Sequence, residues 1–344
     1  MADARGDARL IRLVRADLPP HAFKRRPWRA LIALPLVALI VAMSAAIAAA
    51  PPWYVAAGLS LLLGNLYASL FFFGHEVAHG AVVRSRRAQE LLLYPAFAIV
   101  CLSPHFWRIW HHSAHHAHTN EPGVDPDNFG TLEEHRARPL GRLILKFSPG
   151  SGHWLSALNL FTFFTLHALN TLWCRSRGPA FRRLRRGRAV LDGALMLAFW
   201  IALGIRLGPA GTLWAIVIPM LLVNAITMSY IETNHQLRPL NGDLDTLATT
   251  MSVRTLRVLD LVHFHFSHHV EHHLFPTLDS RWAPLVRASL MRHAPDRYLA
   301  PSHWRALRML FSTPRLYDGP DVLADPVSGR RVRVADVEAA LSRP

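Results

Sequence analysis

The chain has 344 residues, 51% of them hydrophobic, and a mean hydropathy of +0.18; that is too apolar for a soluble domain, and the excess falls in blocks of about 20 residues, the length a ~30 Å hydrocarbon layer asks of a helix. Net charge is +15, but the arginines flank the apolar blocks without any recognition motif, which favours anionic membrane lipids and argues against nucleic acid. Two cysteines, Cys101 and Cys174, exclude a disulfide framework and a cysteine zinc site.

In chain order, residues 1–29 are polar and arginine-rich and predict a loose or interfacial cytoplasmic tail. A membrane domain is expected over residues 30–312, with a first span at 30–50. The charged stretch before that span is too long, and the apolar run too extended, for a cleaved signal peptide. Pro51 and Pro52 make a tight turn, and residues 53–73 span back, so the first hairpin has both ends in the cytoplasm. Residues 91–103 are apolar but too short to cross, which predicts a re-entrant or interfacial helix.

Residues 152–173 are long enough to span, yet Ser156, Asn159, Thr162 and Asn170, with His167 as a further candidate, share a helical stripe. Parity decides their placement. The run from Arg175 to Arg188 and the loop holding His112 should both be cytoplasmic, so this segment is expected along the interface. A second hairpin is expected from spans at 189–205 and 212–231, joined through Gly208-Pro209-Ala210-Gly211. Residues 313–344 predict a weakly structured tail with a short helix near Val334–Leu341. The expected fold is an all-α integral membrane protein. It has four transmembrane helices in two hairpins, interfacial helices, and a cytoplasmic histidine-rich cap, with both termini cytoplasmic.

Histidine is the anomaly, with 21 residues, most of them clustered. His75 and His79 lie four apart on one helical face, so both imidazoles can reach one metal. In "HHSAHHAHTN", His112, His115 and His116 converge on one face, while His111, His115 and His118 define a competing one; spacing alone does not choose. In "HFHFSHHVEHHLFP", His269, His272 and His273 repeat the pattern, with His265 and His268 as possible extras, and His235 follows the last span. So many neighbouring imidazoles would repel one another if protonated, whereas neutral ones facing a cation have a use. Imidazole suits iron, zinc, copper and nickel. Eight or nine ligands exceed the roughly four that one zinc takes, so two metals fit the count better.

His75-Glu76-Val77-Ala78-His79 also reads as H-E-x-x-H, the zinc-protease pattern with Glu76 as base. A protease has no need of the later clusters, and no third histidine follows at the protease spacing. Glu76 is then expected to orient an imidazole by accepting its other N–H. A metal transporter would carry its ligands within the spans, whereas these lie outside them.

The three clusters, in order, resemble the histidine boxes of the membrane fatty acid desaturase and hydroxylase superfamily. "HHAHTNEPGVDPD" is similar to the second box with its following acidic stretch, and "FSHHVEHHLFP" to the third. The resemblance covers about residues 50–285. It implies metal ligands at His75, His79, His112, His115, His116, His235, His269, His272 and His273, with His111 and His268 as possible additions. His112 is preferred over His111 because it keeps the two-residue gap before the His115-His116 pair.

The resemblance further implies two non-haem irons, dioxygen as co-substrate and a fatty acyl substrate that is desaturated, with hydroxylation of a lipid or terpenoid as the alternative within the superfamily. No fused cytochrome signature (H-P-G-G) and no nucleotide fingerprint is present, so an external electron carrier such as a ferredoxin is implied. The Arg175–Arg188 run is one candidate to steer it. Phe71, Phe72, Phe73, Trp107 and Trp110 are candidate walls of an acyl tunnel, or else interfacial anchors. A bacterial inner membrane is the expected location.

Overall fold

The computed structural model describes residues 4–137, 141–240 and 245–343. The helices that position the site are α1 (Ala4–Asp17), α2 (Ala33–Ala48), α3 (Trp53–Ala78), α4 (Arg86–Ala98), α5 (Asn159–Asn170), α6 (Arg186–Thr212), α7 (Ile218–His235), α8 (His269–Leu274), α9 (Ala283–His293), α10 (His303–Ser312) and α11 (Val334–Ser342). Three short strands, β1 (Leu316–Tyr317), β2 (Val322–Ala324) and β3 (Arg331–Arg333), form an antiparallel sheet in sequence order.

Among the described residues, four helical runs are long and apolar enough to cross a membrane: Pro27–Ala48, Trp53–Ala78, Trp154–Arg175 and Arg186–His235. The last run contains two passes, because it kinks at Gly208, whose φ of 68° is one that side-chain-bearing residues avoid. The integral membrane helical fold is therefore as expected. Leu34, Val41, Leu195 and Ile205 project their side chains outward. Without water around them, these apolar faces need no cover.

The inner helices approach closely. A Cβ on Gly64 would lie 2.7 Å from Leu222 Cβ, and one on Gly74 2.7 Å from Ala96 Cβ, so α3 is pressed against α7 and α4 at glycine. The half of α3 nearer the cap is buried from Tyr67 to Ala78.

Trp154–Arg175 qualifies as a span by length and composition, yet both of its ends are tied to the same cap. On its N-terminal side, the Pro149 carbonyl accepts from Arg315, which also donates to the Gln236 carbonyl. On its C-terminal side, Arg175 donates to the carbonyls of Pro126 and Asn128. The Gln236 side chain donates to the Asp127 carbonyl. Between these ends, Asn224 of α7 accepts from the Thr165 backbone and hydroxyl of α5.

Two terminal segments differ from the sequence reading. Residues 4–17 form α1, which docks on α9 through Leu10 and Val14 packed in one cluster with Val286 and Leu290. The stretch after residue 312 is folded. Arg315 is buried and donates to four backbone carbonyls, and the Tyr317 hydroxyl donates to the Arg238 carbonyl at 2.5 Å. Strands of two or three residues are too short to show a period of two in sequence. The short C-terminal helix is present as α11.

Candidate metal centre

Four separate segments deliver the clustered histidines. The end of α3 carries His75 and His79, and Gly80, with φ of 72°, turns the chain out of the helix in the left-handed conformation that glycine tolerates. The second cluster sits on a π-helical turn, Ile109–His115. Its bonds run five residues back, as in His116 N–H to the His111 carbonyl at 2.9 Å. The last residue of α7 is His235. His269, His272 and His273 occupy α8, which ends before Pro276.

The structure gathers nine of these imidazoles into two groups. His75, His79, His111, His116 and His272 form one, and His115, His235, His269 and His273 the other; within each, one ring nitrogen per residue lies within 4.8 Å of the rest. In the first group, Nε2 atoms lie 3.0 Å apart for His75 and His111, 3.0 Å for His111 and His116, and 3.1 Å for His116 and His272. In the second they lie 2.7 Å apart for His235 and His269 and 3.2 Å for His269 and His273. His79 Nε2 is buried with no hydrogen-bond partner.

Electrostatics keep most of these rings neutral. Burial first, then neighbouring imidazoles, hold His111, His116 and His273 well below the ordinary histidine range, and push His272 down to about 3. His115 is the exception. Burial opposes its charged form, but Asp125 and Asp127 outweigh burial and raise it to about 9. Its Nδ1 lies 3.1 Å from Asp125 Oδ1 and 3.2 Å from Asp127 Oδ2. Asp125 is itself fixed by the Asn120 and Asp127 backbone N–H groups.

Three expectations need correction. His111, not His112, enters the first group. The two-residue gap of the resembled second box favoured His112, whereas the π turn sets residues five apart beside one another and brings His111 next to His116. His112 lies just outside, its ring centroid 4.2 Å from that of His79 and its Nε2 buried without a partner. Glu76 orients no imidazole. Its Oε2 lies 2.7 Å from Arg29, which also pairs with Asp279 at 3.0 Å, and its Oε1 accepts from the Ser280 backbone N–H. Held this way, Glu76 is not placed to act as the base of an H-E-x-x-H site. His268 stands apart from both groups, between Asp260 at 3.4 Å and Glu271 at 3.0 Å, and His265 also pairs with Asp260.

Sequence reasoning assigned no site role to Asp125, Asp127 or His167, placing His167 only on the polar stripe of residues 152–173. The two aspartates lie in the acidic stretch after the second cluster, which was the available signal. His167 donates to Asp127 from α5, at 3.1 Å, and nothing in the sequence linked those two positions.

Both groups face one narrow cavity of about 40 Å³. His75 and His111 from one group and His115, His235 and His269 from the other line it, with Phe71, Trp107, Trp110, Phe164, Met228 and Ile231 as its apolar wall. Of the wall residues anticipated from sequence, Phe72 and Phe73 lie elsewhere; Phe72 stacks on Phe266 at 4.2 Å.

Comparison with known proteins agrees with this architecture. The fatty acid desaturase family profile matches residues 51–306. A probable fatty acid desaturase, DES1, of Sorghum bicolor is 25% identical over 283 residues, covering 77% of this chain and 71% of that protein. The sn-1 oleoyl-lipid 12-desaturase of Synechocystis sp. is 22% identical, covering 78% of this chain and 77% of its own length. The chloroplastic sn-2 acyl-lipid omega-3 desaturase (ferredoxin) of Arabidopsis thaliana is 23% identical, covering 77% and 62%. With its membrane helices, its paired imidazole groups and a family match over most of its length, the chain belongs to the fatty acid desaturase family.

Proposed function

We propose that this protein is a di-iron, dioxygen-dependent desaturase acting on the acyl chain of a membrane lipid, with electrons from an external carrier. The observation that carries the reading is the pairing of a five-imidazole and a four-imidazole group around one apolar cavity. The donor set fits two irons. All nine ligands are imidazoles, seven of them bring their Nε2 atoms within 2.7–3.2 Å of a neighbour's, and the buried His79 Nε2 is left without a protein partner. We take those nine histidines as the ligands.

Bound iron with dioxygen would supply the oxidant that an unactivated methylene demands and that no side-chain acid or base provides. The protein's own residues do the rest. Phe71, Phe164, Met228 and Ile231 hold the chain segment against the imidazoles and keep water from it. Asp125 and Asp127 accept from His115 Nδ1, which fixes its tautomer and turns Nε2 toward the group. The names of the Synechocystis and Arabidopsis relatives support a lipid-linked acyl chain as substrate. The arginines around the cap support its placement on the cytoplasmic side of the membrane.

The test is product analysis in a host fed acyl chains of defined length. A desaturase yields a product lighter by two hydrogens, and His272→Ala abolishes it. A product heavier by one oxygen would make the protein a hydroxylase, and no product from any chain would overturn the reading.

A further inference from the structure

The first imidazole group is reached from a second direction. A roomier cavity of about 460 Å³ opens onto His79, His112 and His116 from outside the bundle. Its lining differs in kind from the acyl cavity. The rim carries Arg25, Arg84 and Arg86, and no carboxylate lines it. Arg84 and Arg86 are exposed and have no ion-pair partner among the described residues, while Arg25 donates to the Gly80 carbonyl at 2.6 Å, which fixes it at the edge. On the floor, His112 belongs to neither metal group, and its buried Nε2 has no partner. The acyl cavity meets the same group through different members, His75 and His111.

We propose that this arginine-rimmed mouth is the docking site of an acidic, one-electron iron–sulfur carrier, which delivers electrons to the first group past His112 while the acyl chain occupies the other cavity. The inference rests on the desaturase reading and names the surface its reductant uses. Forming one double bond removes two hydrogens from the chain. Dioxygen, taking those and two more electrons and two protons, leaves as two waters, so two reduced carriers are each oxidised by one electron. A cationic mouth without counter-charge attracts an acidic protein face. Of its lining residues only Ala78 and Pro276 have apolar side chains, against the largely apolar wall of the other cavity. In the competing basic run, Arg175 donates to the carbonyls of Pro126 and Asn128, Arg186 to that of Ser176, and Arg188 pairs with Glu90, while Arg177, Arg182, Arg183 and Arg185 are exposed, so that run is the control surface in the test.

The experiment uses iron-loaded protein in phosphatidylcholine nanodiscs, with an acidic plant-type [2Fe–2S] ferredoxin as the probe. The double variant Arg84→Glu/Arg86→Glu is expected to raise the KM for reduced ferredoxin by about tenfold or more and to leave dithionite-driven turnover and the double-bond position unchanged. Arg182→Glu/Arg183→Glu, also exposed, should shift that KM by less than about twofold. Binding of oxidised ferredoxin to the same nanodiscs should fall in step in the first variant and weaken with salt between about 50 and 300 mM. An unchanged KM and unchanged binding in Arg84→Glu/Arg86→Glu would overturn the proposal, as would a loss confined to the Arg182/Arg183 variant. If no reductant yields a double bond, the desaturase reading fails, and the binding measurement still decides the docking surface.

Discussion

Asp127 links two histidines from different segments, with Oδ2 3.2 Å from His115 Nδ1 and Oδ1 3.1 Å from His167 Nε2. Trp110 donates to the same Oδ1 at 2.7 Å. One carboxylate thus anchors the second imidazole group, the wall of the narrow apolar cavity and helix α5. Asp127→Asn keeps the shape and removes the charge. We expect iron affinity or turnover to fall about 10–100-fold, with the loss concentrated in one of the two irons. Metal analysis beside product yield checks this, and a variant with full iron and full turnover would refute it.

His111 and His112 are adjacent in sequence and distinct in place. His111→Ala should cost at least one iron per chain and abolish activity. His112→Ala should keep both irons, because its ring lies outside both groups. Iron content of the two purified variants is the measurement, and the reverse ordering would restore the sequence-based choice.

Arg29 sits between two buried carboxylates, Glu76 and Asp279, with all three side chains at most 8% exposed. Removing the cation leaves Glu76 without its ion-pair partner and Asp279 with only Arg281, at 3.4 Å, and breaking such a buried pair destabilises by about 3–5 kcal/mol. Arg29→Met should therefore melt well below the parent in detergent, while the fraction that stays folded keeps its iron. A melting temperature within error of the parent would contradict this.

Helix α1 is held to α9 by Asp17, which accepts from Ser289 at 2.5 Å, Arg292 at 2.7 Å and His293 at 2.9 Å. These bonds, Ser289 first, lower the Asp17 carboxyl to about 2. Because its folded value lies below the unfolded one, the contribution is complete above the ordinary aspartate range and is lost as pH falls toward about 2. Limited proteolysis should find α1 protected at neutral pH and progressively cut in acid, and Asp17→Asn should expose it at neutral pH. Equal protection of parent and variant would rule out this clasp.

Much of the site was legible because metal ligation on a regular helix has a fixed spacing. His75 and His79, four apart, and His269, His272 and His273 within two turns could be read from period alone. His111 and His112 were left open by that period, and the two-residue gap of the resembled box put His112 first, because a π turn shifts the period by one residue and leaves no mark in composition. Glu76 was misread for a different reason. Its partner, Arg29, belongs to a segment far away in sequence, and no local pattern announces a long-range ion pair. The membrane hairpins were plain from hydropathy and from Pro51, Pro52 and Gly208. The sheet after residue 312 was not, since its order comes from Arg315 and Tyr317 reaching carbonyls near Gln236.

That last attachment sets an order of events during biogenesis. His235 ends the final membrane pass, and Asn120, which donates to its carbonyl, comes from a loop made much earlier. The backbone just beyond His235 gains its Arg315 and Tyr317 anchors only after the ribosome has added the chain through the sheet. Every membrane-crossing helix precedes that point in the chain. The histidine cap therefore gains these anchors only after the membrane bundle has been made, and a nascent chain stalled before residue 315 would present its imidazoles on an unlatched surface.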